Sequence, residues 1–169
     1  MTQPTMQHPV FGSLEYGEYS PHWTCELSVP ACLSRAGGQE VFYLSIYAKY
    51  REIPDDEAVK LWLGLANRPA HFAEFLEQAI FAAYQRDGLH HRSLGEIPDL
   101  TRADQVWRYV GLHDNLIKPT ADGGLQLVVA LSAKWRPEFG LDLVFRAGQL
   151  GVGEGFMPWN EMMHFDLPQ

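Results

Sequence analysis

At 169 residues, 46% of them hydrophobic and 20% charged, the chain is long enough for one self-supporting core and too apolar to be disordered. A formal charge of -8 disfavours nucleic-acid phosphates and anionic membrane surfaces, while it would steer in a basic protein partner. Two cysteines are too few for a disulfide framework, and neither a leader pattern nor an apolar run of ~20 residues is present, so a cytoplasmic location is expected.

Residues 1–8 read as a flexible polar lead-in, and residues 9–169 as a single domain. Val10, Phe11, Leu14 and Tyr16 suggest a first strand, with Gly12 at a bulge. Trp23, Cys25, Leu27 and Val29 alternate with Thr24, Glu26 and Ser28, the period of a half-buried strand. Pro30 ends it or confines it to an edge. Arg35-Ala36-Gly37-Gly38 reads as a turn, and Val41 to Tyr47, β-branched and aromatic, as the next strand.

The period then changes. Pro54-Asp55-Asp56-Glu57 marks a helix start, with acids at the positive end of the dipole. Ala58, Leu61, Trp62 and Leu65 form one apolar face. Asn67 reads as an N-cap restarting the chain into a second helix. There Phe72, Phe75, Leu76, Ala79, Ile80 and Ala83 form a stripe, while Glu74, Glu77, Gln78 and Gln85 face away. Truncating Phe75 to Ala is expected to cost ~3–5 kcal/mol if that face is right.

Residues 88–100 read as a polar loop with His90 and His91. Thr101 and Asp104 resemble a capping box, and Leu116-Ile117 a brief strand. Leu125 to Ala133 is a strand buried on much of both faces. Leu141 to Phe145 is its partner, and Gln149 to Val152 follows the Ala147-Gly148 turn. Residues from Gly153 onward carry no clear pattern. Strands, then helices, then strands define an α+β fold: a mostly antiparallel sheet with two to three helices on one face.

Chemistry is hard to find in this pattern. Gly148, Gly151 and Gly153 lack the dinucleotide fingerprint and are read as turn glycines. The histidines lack the paired spacing of a zinc site, so no metal and no cofactor is expected. Cys25 alternates with core residues and is read as buried and inert. No nucleophile elbow appears and no poised acid–base pair can be named, so the chain is not expected to be an enzyme. Trp135 and Trp159 fall in or near loops. With acidic neighbours such as Glu138 and Glu161, they are candidate interface anchors, against the alternative of half-burial under a loop.

Two stretches carry a resemblance. One is His8-Pro9-Val10-Phe11-Gly12 followed by the Trp23 strand. The other is Trp135-Arg136-Pro137-Glu138-Phe139-Gly140-Leu141, followed by a strand, a turn and Gly151. Together they resemble a bacterial family known as a domain of unknown function, number 6985, whose motif runs roughly Trp-Asp-Pro-Glu-His-Gly-Leu-Gly-Val. Here Phe139 stands where that family usually has histidine, so any role of that histidine is absent. Such domains resemble the acidic immunity proteins encoded beside bacterial toxins. The resemblance implies a protein that neutralises a cognate toxin with a basic cleft by occluding its active site. Asp55, Asp56, Glu57, Trp135 and Glu138 are the candidate partner-binding residues. A small-molecule-binding or enzymatic domain and a structural accessory subunit are the alternatives.

Overall fold

The computed structural model describes residues 2–17, 19–88 and 100–169. They form the expected α+β arrangement, a nine-stranded sheet whose strands lie side by side in sequence order. β1 (Thr5–His8), β2 (Gly12–Tyr16), β3 (His22–Ser28) and β4 (Val41–Tyr47) make an antiparallel meander. Two helices follow, α1 (Asp56–Ala66) and α2 (Phe72–Gly88). The chain then re-enters the sheet as β5 (Val110–Pro119), parallel to β4. β6 (Leu125–Ala133), β7 (Leu141–Arg146), β8 (Gln149–Glu154) and β9 (Met163–Asp166) complete an antiparallel run. The helices sit at the β4–β5 crossover because parallel neighbours need a long connection.

Several local expectations are corrected. Thr5–His8, placed in a flexible lead-in, form β1. Met6 packs against the core, and His8 Nδ1 accepts the backbone N–H groups of Val10 (3.1 Å) and Phe11 (3.3 Å), closing the turn into β2. Asn67 is the C-cap of α1, its N–H bonding to Leu63 O and Leu65 O, and not the N-cap of α2. The six-residue 3-10 helix at Ala103–Arg108 is capped through Gln105. Its Oε1 accepts from the Thr101 and Arg102 amides at 2.9 and 3.1 Å, and Asp104 pairs instead with Arg102 at 3.4 Å. The brief strand at Leu116-Ile117 is part of the ten-residue β5, interrupted by a bulge at His113-Asp114. His90 and His91 lie outside the described residues.

The helices pack on one face of the sheet, α1 against β6 and α2 against β8. Alternation sorts every strand onto two faces. Trp23, Phe42, Leu44, Leu127, Val129, Leu143 and Leu150 are buried on the helix side. In α2 the core stripe is Phe72, Leu76, Ala79, Ile80 and Ala83, whereas Phe75 is only partly buried, stacked on Phe72 at 5.2 Å. Glu77, expected to face water, is 7% exposed. Its Oε2 accepts from Trp107 Nε1 at 2.8 Å and pairs with Arg35 at 3.3 Å, which is how a charge is tolerated there.

Candidate functional site

Among the described residues the other face of the sheet carries no α-helix, only the short 3-10 turn at Trp159–Glu161. Its floor is built by residues that alternate with the core set: Lys118 and Leu116 on β5, Gln126, Val128 and Ala130 on β6, and Asp142, Val144 and Arg146 on β7. A groove of about 970 Å³ lies over these strands. One wall is the segment after β8, Phe156 to Trp159 with Met162, and another is the Pro137-Glu138-Phe139 connector.

The wall over β8 exists because that strand has glycines on this face. A Cβ on Gly151 would lie 2.6 Å from the Trp159 ring, and one on Gly153 would lie 2.6 Å from Met157 Sδ. Gly151 and Gly153 are therefore mid-strand spacers, not the turn glycines expected. Only Gly148, at φ +75°, occupies a turn. Trp159, seated over β8, holds Arg146: the guanidinium carbon is 4.2 Å from the ring centroid. Arg146 Nε also donates to Gln126 Oε1 at 3.0 Å, and His164 stacks on Trp159 at 4.3 Å.

At the other end of the groove Asp142 Oδ2 accepts the Phe156 N–H at 3.1 Å. Burial pushes the Asp142 carboxyl above its ordinary range, opposed by that hydrogen bond and by the charge of Lys118. Phe156 is 90% exposed and held at φ 66°, and Phe139 is 50% exposed across the rim. A non-glycine residue in this left-handed region carries roughly 1–2 kcal/mol of strain. The two rim turns touch through backbone: Gly155 N–H donates to Gly140 O at 3.2 Å.

The structure disperses the residues singled out from sequence. Asp55 caps α1, its Oδ1 accepting from Ala58 N at 3.0 Å. Glu57 Oε1 accepts from Leu125 N at 3.1 Å, tying the start of α1 to the start of β6, and Asp56 is exposed beside them. None of these three lines the groove, whereas Glu138 does. Trp135, expected as an exposed anchor, is 5% exposed and packs edge-on against Tyr84 at 5.3 Å, so its indole belongs to the core. The sequence reading missed Lys118, Asp142 and Arg146. The signal was present: Asp142 and Arg146 stand four apart in one strand, and so share a face.

Cys25 and Cys32 are buried free thiols, pushed up to about 12 and about 11 by burial. Neither lines the groove. Among the described residues no group of three or more His, Cys, Asp or Glu side chains is placed to hold a metal ion. No described helix is long and apolar enough to cross a membrane.

These features define an α+β protein whose sheet is covered by helices on one side and grooved on the other. The chain matches the family model described as Domain of unknown function (DUF6985) over residues 10–154, and it belongs to that family. Comparison with curated proteins finds no match, and neither does comparison with solved structures.

Proposed function

We propose that this chain is an immunity-type binding protein that holds a bacterial toxin on the face of its sheet opposite α1 and α2 and so occludes the toxin's active site. The observation that carries the reading is the groove of about 970 Å³ with an exposed, strained aromatic at its rim. An apolar side chain held at positive φ and left in water contributes nothing evident to folding; binding energy gives it a reason. The net charge of -8 suits a partner with a basic cleft.

The test is co-expression with the adjacent gene product, scored by growth and by direct binding. Phe156→Gly removes the side chain and the backbone strain together, so the fold and Tm should hold while affinity falls about tenfold or more. A toxic neighbour that this chain neither binds nor silences would sink the reading. A second reading, a small-molecule site in the same groove, is favoured by the fixed Arg146–Gln126 pair, a preorganised polar contact of the kind ligand pockets use.

A further inference from the structure

The charges on the groove floor are sorted by strand register. Lys118 pairs with Gln126 across β5 and β6, and Gln126 bonds to Arg146 on β7, forming one row. Two residues along each strand lie Leu116, Val128 and Val144, again in register. Two residues further, Ala130 faces Asp142, with the bulged Asp114 lining the same groove and Glu138 in the connector just beyond the β6–β7 ladder. The floor therefore runs from a cationic row, through an apolar row, to an acidic row. Strand rise sets neighbouring rows ~7 Å apart and the charged rows ~13 Å apart.

Arg146 and Asp142 are held in place without a salt bridge, and Lys118, exposed, acts on Asp142 only through its charge. Arg146 is held by an amide oxygen and an indole face, Asp142 by a backbone N–H, and neither they nor Lys118 has an ion-pair partner among the described residues. Within the acidic row Asp114 pairs, among the described residues, with His113 at 3.5 Å. Near the cationic row Asp122 feels Arg146, but its carboxylate is engaged by the Thr120 hydroxyl in the turn, outside the groove lining.

We infer that the groove takes an extended segment of the partner protein in which an acidic, an apolar and a basic side chain stand at positions i, i+2 and i+4. In extended chain those three share one face at the spacing of the three rows: acid over Lys118 and Arg146, apolar side chain over Leu116, Val128 and Val144, base over Asp142 and Glu138. This rests on the groove being the binding face, as proposed above, and adds the chemistry of what enters it.

The probe is the pentapeptide acetyl-Asp-Ser-Leu-Ser-Lys-amide, titrated into the full ¹⁵N-labelled chain by NMR. Its control, acetyl-Ser-Asp-Leu-Lys-Ser-amide, has the same composition and charge but turns both charges away from the leucine face. The first should shift amides of β5, β6 and β7 around the groove and bind on the order of tenfold more tightly than the control. Lys118→Glu, an exposed and fold-neutral change, should weaken the first peptide several-fold and favour a version with Lys in place of its Asp. Asp142→Asn should weaken it at the opposite end. Equal binding of the two peptides, shifts outside the groove, or no shifts at millimolar peptide would overturn the inference. So would a straight-chain ω-amino acid of matching length binding as well as the peptide, since the occupant would then be a small zwitterion. The co-expression test does not use these peptides, so a neighbour that binds while the peptides fail leaves the immunity reading standing and removes this one.

Discussion

Glu77 offers the sharpest check on the packing of helix against sheet. Its carboxylate receives the Trp107 indole N–H at 2.8 Å where Trp107 itself is buried, and pairs with an Arg35 side chain that is 48% exposed. Glu77→Ala leaves the indole N–H without its acceptor, which costs about 1–3 kcal/mol, and removes buried methylene at about 0.8 kcal/mol per group. Arg35 returns to water at small cost because it is half exposed already. The sum is about 2–4 kcal/mol. Glu77→Gln keeps an acceptor for the indole and gives up only the charge, so about 1 kcal/mol is expected.

The decisive variant is the pair Glu77→Leu with Trp107→Phe. Each single change strands a buried polar group, whereas the double change removes donor and acceptor together and should recover about 1–2 kcal/mol relative to the sum of the singles. Urea denaturation at fixed pH, followed by circular dichroism, measures all of these. If Glu77→Gln proved as damaging as Glu77→Ala, or if the double variant were no better than additive, the hydrogen bond would not be what stabilises this site.

Three other outcomes follow from burial and titration. Leu76→Ala, at a fully buried position of α2, should cost about 2–5 kcal/mol, and Phe75→Ala clearly less than the value expected for a buried phenylalanine; urea midpoints order the two. Cys25 and Cys32, with thiols raised to about 12 and about 11, should resist a thiol-specific dye in the native state at pH 8 and react only after unfolding. Asp142 binds its proton more tightly folded than unfolded, so its contribution to stability is lost as pH rises through the ordinary carboxylate range and beyond. Asp142→Asn should therefore be the more stable form at pH 7, with the advantage vanishing near pH 3; a Tm below wild type at pH 7 would contradict the burial argument.

The elements were legible where one periodicity ruled. Val41–Tyr47 and Leu125–Ala133 match their expected bounds because alternation and β-branched content agree there. What failed depended on partners far away in the chain. Glu77 looks solvent-facing in its helix, and only Trp107, thirty positions on, makes its burial tolerable. Trp135 looks like a loop residue, and Tyr84 on α2 covers it. Met163–Asp166 form β9 because β8 offers them an edge, which a four-residue run after a Gly- and Met-rich stretch does not announce. The groove was hidden for a related reason. β6 read as buried on much of both faces, so its second face was credited to the core when it is the floor of a cavity.

The stretch that carries the family resemblance serves the scaffold more than the site. Trp135 fills the core, and Arg136 pairs with Glu154 at 2.9 Å, fastening the β6–β7 connector to β8. Gly140, at φ +64°, turns the chain where any Cβ would meet Leu131 O at 2.3 Å, and it accepts the Gly155 N–H that positions the Phe156 turn. Those residues dictate that two turns meet at one end of the groove, but they do not dictate what the groove holds. That falls to side chains at alternate positions of β5, β6 and β7, of which Asp142 and Arg146 also hold the wall through Phe156 and Trp159. In this chain the floor is Lys118, Gln126 and Arg146 at one end and Asp142 at the other, and Phe139 on the rim leaves an apolar ring half exposed beside it.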